Sequence, residues 1–119
     1  MSLIGTVTTC LGIALFGDEV SPRFCFAENI LVVCLAQGRE VKRQVVSLGE
    51  PWLPSRIAQL VAMDVRLLLC GAFNRAFLPN AERLGIQVVT GISGKAEDAL
   101  ASYLAGASPR ARRRRRGRA

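Results

Sequence analysis

The chain reads as a single mixed α/β domain in which three antiparallel strands precede an α-β-α-β-α run. Three observations predict this. Short apolar runs at residues 11–16, 29–36, 65–70 and 86–90 have the length and the Val, Leu and Ile content of strands. Between the later runs, apolar residues recur at helical spacing instead. Half of the 119 residues are apolar, enough for one small domain to bury about two thirds of its unfolded surface.

Taken in order, residues 11–16 form a run apolar on both faces, as a covered strand requires. The second strand is 29–36, with Leu31, Val32, Val33 and Leu35. Gln37-Gly38-Arg39 is a short hairpin turn into a third strand at 40–48. There Val41, Arg43 and Val45 alternate with Lys42, Gln44 and Val46, the pattern of an edge strand with one wet face. Gly49-Glu50-Pro51-Trp52 is a loop, and Pro54-Ser55 opens a helix with Ile57, Leu60 and Val61 as its stripe. Residues 65–70, with three successive leucines, are a central parallel strand. Asn74 suits an N-cap, with Phe77, Ala81 and Leu84 on one face of the following helix and Gly85 beyond its end. Pro79 inside that pattern predicts an irregular or late start. A last strand at 86–90 leads through a loop at 91–94 to a helix at 95–105, with Ala96, Leu100, Tyr103 and Leu104 inward and Gly106 as its stop. This is the order of a ribonuclease H-like mixed five-stranded sheet with helices on both faces. Right-handed crossovers place the strands that begin at Leu11, Val65 and Ile86 parallel at its centre.

Several short motifs lie along that framework: Gly17-Asp18 followed by Val20-Ser21-Pro22-Arg23-Phe24, then the stretch from Ala27 to Val33, Cys70-Gly71, Gly85-Ile86-Gln87-Val88-Val89, and Ser93-Gly94. In this order and spacing, over residues 11–106, they resemble the dinitrogenase iron-molybdenum cofactor biosynthesis family, the NifX-like proteins and the C-terminal domain of NifB-type proteins. The resemblance implies a domain that begins near Leu11, which leaves residues 1–10 as an extension whose Leu3, Ile4 and Val7 either lengthen the first strand or lie loose. It also implies a non-enzymatic accessory protein that transiently binds an iron-sulfur or iron-molybdenum precursor cluster received from cluster-assembly proteins. Nothing calls for a nucleotide cofactor, and either a monomer or a homodimer is compatible with it. The chain departs from the family in having Ala72-Phe73-Asn74 where many relatives have a glycine-rich turn, and a cysteine at 25 where members often have an acid.

The net charge of +7 is not spread over the domain. Arg110, Arg112, Arg113, Arg114, Arg115, Arg116 and Arg118 crowd the last ten residues, and the other nine basic residues equal the nine acids. The body is therefore neutral, and residues 107–119 are expected to be a disordered, self-repelling tail. No apolar run reaches the length of about 18 residues that a membrane helix needs. The apolar start lacks the basic region of a secretory signal, so a cytoplasmic location is expected.

The four cysteines include no Cys-x-x-Cys pair, and the chain has no histidine, which excludes zinc-finger spacings and the commonest general base. Free thiols are the expectation for a reducing compartment. Cys34, amid Leu and Val, reads as a small buried hydrophobe, and Cys10 falls in the extension.

In an open α/β sheet, ligands bind beyond the carboxyl ends of the parallel strands. That rule gathers Arg23, Cys25, Cys70, Gly71, Ser93 and Gly94 onto one rim, next to helix N-termini whose free amides favour anions. Cys25 and Cys70 would supply thiolates to iron or molybdenum, and Arg23 and the backbone amides would donate to cluster sulfides. Plainer roles stand beside these. Cys70 can simply pack at a strand end, Arg23 can pair with Asp18 or Glu19, and Gly91 and Gly94 can be turn residues.

Nuclease chemistry needs carboxylates that converge on the sheet, and neither residues 11–16 nor 66–70 contain an acid. A cysteine-dependent enzyme lacks a base to activate its thiol. The competing reading is a nucleic-acid or acidic-partner binder acting through the seven tail arginines. No aromatic residue interleaves them, so contact with nucleic acid would be weak and non-specific.

Overall fold

The computed structural model describes residues 8–105; the expectations for residues 1–7, for Gly106 and for the arginine tail lie outside them. The elements are β1 (Thr8–Phe16), β2 (Glu19–Val20), β3 (Asn29–Ala36), β4 (Arg39–Ser47), α1 (Leu53–Ala62), β5 (Val65–Leu69), α2 (Leu78–Arg83), β6 (Gln87–Val89) and α3 (Ala96–Leu104). They build one mixed six-stranded sheet in the order β4-β3-β1-β5-β6, with β2 paired to β1 at its end. β1 runs antiparallel to β3 and parallel to β5, and β5 is parallel to β6.

The sheet has six strands where five were expected. Gly17, at φ +66°, turns the chain so that Glu19 and Val20 fold back onto Phe16 and Leu15. A two-residue strand carries no periodicity, so it left no trace in the sequence pattern. The boundary of the extension also moves. Thr8, Thr9 and Cys10 belong to β1 because β3 runs on to Ala36 and its backbone groups pair with them. The hairpin between β3 and β4 is the expected one, and its two loop residues, Gln37 and Gly38, both have positive φ, at 56° and 80°.

The β1–β3 register sets Cys10 opposite Cys34, and the two form a disulfide across 24 residues of chain. This corrects the expectation of four free thiols. Two cysteines so far apart in sequence cannot be matched until the strand register is known, and the free-thiol argument for a reducing compartment falls with it. Cys25 and Cys70 are the free cysteines.

Side chains of β1 alternate between two cores, as a strand covered on both faces requires. Leu11, Ile13 and Leu15 pack with Leu31, Val33, Leu67 and Leu69 under Ala96, Ala99 and Leu100 of α3. Cys10 and Ala14 face Ile30, Val32 and Leu68 under Leu53, Ile57 and Leu60 of α1 and Ala81 of α2. α1 therefore buries Leu53, Arg56, Ile57 and Leu60, whereas Val61, expected in its stripe, is exposed. α2 starts late, as Pro79 predicts. The Asn74 side-chain oxygen accepts a bond from the Ala76 amide, which caps a single 3₁₀ turn at Arg75–Phe77 before the helix begins. β4 forms the expected edge, but both of its faces are wet instead of one: Val41 and Val45 are exposed, as are Lys42 and Gln44, and only Val46 is half-buried. Arg43 at its middle binds both Glu40 and Glu97 of α3, and these partners, Glu40 foremost, raise its pKa. No described helix is long and apolar enough to cross a membrane.

Candidate functional site

Past the end of β2, the segment Ser21-Pro22-Arg23-Phe24 is sewn to the end of β5. The Gly71 amide donates to the Ser21 carbonyl, the Ala72 amide to Pro22, and the Phe24 amide to Ala72, at 2.8–3.0 Å. Glycine is required at 71 because a Cβ there would lie 2.8 Å from the Cα and carbonyl carbon of Pro22. Buried Ser21 closes the turn by donating its hydroxyl to the Arg23 carbonyl at 2.7 Å. The chain then makes a 3₁₀ turn at Phe24–Phe26 that presents Cys25, half-buried.

This turn forms one wall of a cleft of about 510 Å³. Arg23 and Cys25 line that wall, Trp52 and its flanking prolines the second, and Phe73, Asn74 and Phe77 the third. Phe24 and Phe73 stack in the wall with centroids 5.7 Å apart. The Arg23 guanidinium lies 5.5 Å from the centroid of the Phe26 ring. It does not pair with Asp18 or Glu19. Asp18 binds Lys95 at 2.8 Å instead, because β2 carries it toward the start of α3.

The residue beneath the turn is Arg56, which the sequence reading passed over. It is 4 % exposed and donates four hydrogen bonds, all to backbone carbonyls: Phe24 and Ala27 on either side of Cys25, and Gly49 and Glu50 in the loop before α1. No carboxylate neutralises it among the described ion pairs. Burial lowers its pKa, and attraction to the Cys25 sulfur opposes that effect. A signal was available, because an arginine three residues after Leu53 and one before Ile57 falls inside the apolar stripe of α1.

The six rim residues expected from the sequence divide. Arg23 and Cys25 share the cleft. Cys70 is fully buried in the core beside β5, and burial pushes its thiol up to about 12, so it stays protonated and shielded. The Gly71 amide is spent on Ser21. Ser93 and Gly94 do not line the cleft; the Gly94 carbonyl accepts from the Val20 amide, and the Ala96 amide at the start of α3 donates to the Asp18 carbonyl. The expected helix N-terminus after β5 is displaced by the loop and 3₁₀ turn before α2. Among the described residues, no three Cys, Asp or Glu side chains converge as a metal site would need. The arrangement offers one guanidinium to an anion and one half-buried thiol, against apolar walls.

No family model and no curated protein matches the chain. Solved structures do. A candidate dinitrogenase from Methanocaldococcus jannaschii superposes with a TM-score of 0.70 at 14 % identity, over 85 % of this chain and 92 % of that one. A solution structure of that protein gives 0.66 at 15 % identity, over 86 % and 92 %. A candidate NifB protein from Thermotoga gives 0.66 at 20 % identity, over 83 % and 90 %. At these identities the likeness establishes that the chain shares the α/β fold of these nitrogenase-named proteins across nearly their whole length.

Proposed function

We propose that the protein is a non-enzymatic carrier that transiently holds an iron-sulfur or iron-molybdenum precursor cluster as cargo between cluster-assembly proteins. The observation that carries this reading is the half-buried Cys25 thiol at the mouth of a cleft whose two nearest cations, Arg23 and Arg56, have no carboxylate partner. A thiolate ligates iron, and guanidinium groups offset the negative charge of a sulfide-rich cluster. A single thiol suits cargo that must leave again. The names of the structural neighbours point the same way. Cys70 and Gly71 then support the turn from behind, and Gly94 braces β2, so the working pair is Arg23 and Cys25.

The test is anaerobic mixing with precursor cluster, followed by absorption spectra and metal counts. Cys25→Ser is expected to lose most metal uptake and Cys70→Ser to retain it in whatever fraction stays folded. Equal uptake by wild type and Cys25→Ser would refute the reading.

A further inference from the structure

The cleft offers chemistry besides the Cys25 thiol. Its walls are chiefly aromatic and aliphatic, and Trp52 on its lining is 63 % exposed; Phe26, next to the lining residue Cys25 and under the Arg23 guanidinium, is 64 % exposed. Its volume of about 510 Å³ lies within the roughly 300–1,000 Å³ that small organic ligands occupy. The only charged side chain on its lining is Arg23, whose guanidinium lies 5.5 Å from the centroid of the Phe26 ring and forms no ion pair among the described residues. Behind the same wall sits the buried, uncompensated charge of Arg56. A cleft with positive charge on one side and aromatic faces on the other selects against cations and against fully polar solutes.

We propose that this cleft is a binding site for a small organic anion with a planar apolar body, its anionic group at Arg23 and its ring against Trp52, Phe73 and Phe77. The site does not depend on cluster carriage, and the test uses metal-free protein, so either idea can fail alone. Trp52 is the sole tryptophan, so energy transfer from it reports on this cleft. Full-length protein is titrated with 8-anilinonaphthalene-1-sulfonate and, separately, with its uncharged analogue N-phenyl-1-naphthylamine. The expected result is saturable one-to-one transfer from Trp52 with a dissociation constant of roughly tens of micromolar for the sulfonate. The neutral analogue should bind about fivefold more weakly. Arg23→Gln, which keeps the arginine tail, should weaken the sulfonate about fivefold and leave the neutral probe unchanged. A damaged fold would move both probes together, so the ratio isolates the charge. Equal affinity for the two probes in wild type, an equal loss of both in Arg23→Gln, or transfer that never saturates would each overturn the site.

Discussion

Removing the Arg56 side-chain donors is the perturbation whose size the structure defines best. The guanidinium makes four hydrogen bonds of 2.6–3.0 Å, and only 4 % of the residue is exposed. Arg56→Met keeps an apolar stem over the Phe24 ring but leaves the carbonyls of Phe24, Ala27, Gly49 and Glu50 without this donor. Each buried acceptor left unpaired costs about 1–3 kcal/mol. Two of the four bonds are only part-buried, where water can substitute, and the Phe24 carbonyl keeps its bond from the Ala27 amide. Relief of the desolvated charge offsets a further share, so the net loss should be about 3 kcal/mol. For a domain of this size that is a large part of a total of about 5–10 kcal/mol, and it lowers the urea midpoint by about 2 M. Arg56→Lys keeps the charge but cannot span four acceptors, and should lose about half as much. Urea unfolding followed by Trp52 emission measures both variants. A cost for Arg56→Met below about 1 kcal/mol, or an Arg56→Lys variant as stable as wild type, would refute the clamp.

Gly71→Ala should destabilise the domain by about 2–3 kcal/mol in the same assay, since its Cβ meets Pro22 backbone that cannot move without breaking the bonds of Ser21, Pro22 and Phe24 to Gly71 and Ala72. Thiol labelling should be stepwise: Cys25 in the native state, Cys70 only in urea, and Cys10 with Cys34 only after reductant, as mass spectrometry would show. Chain-entropy reasoning for a loop of 24 residues gives a loss of about 3.5 kcal/mol on replacing both Cys10 and Cys34 by serine. Asp18 has a lowered pKa, first through its hydrogen bond to Lys95, whose own pKa that bond raises. Their contribution is therefore present at neutral pH, fades for Asp18 as pH falls below about 4, and fades for Lys95 as pH rises beyond about 10.5. The stability difference between wild type and Asp18→Asn should shrink on the acid side, and a difference constant down to pH 2 would contradict the pairing. If the tail arginines hold single-stranded nucleic acid through all seven charges, log K should fall with log salt at a slope near −5, and a flat response would remove that reading.

Local chemistry made much of this molecule readable from residues alone. The Gln37-Gly38 hairpin, the leucine run of β5 and the late start of α2 at Pro79 follow from backbone conformations that few residues tolerate and from side-chain periods that only one element satisfies. The place of the Ser21–Phe24 turn at the carboxyl end of the sheet was legible too, because strand order and crossover hand leave little choice. Register was not. Which β3 residue faces Cys10, and hence the disulfide, depends on strand pairing that joins residues 24 apart in the chain. Depth was not legible either. Cys25 and Cys70 look alike as letters, yet one lines a cleft and the other is sealed beneath Gly71, where burial alone keeps its proton on. Arg56 stands inside the apolar stripe of α1 in the sequence, but the four carbonyls from two loops that hold it appear only in the fold. Sequence set the elements because their causes lie within a few residues of chain, while packing decided the site because solvent exclusion arises only where distant segments meet.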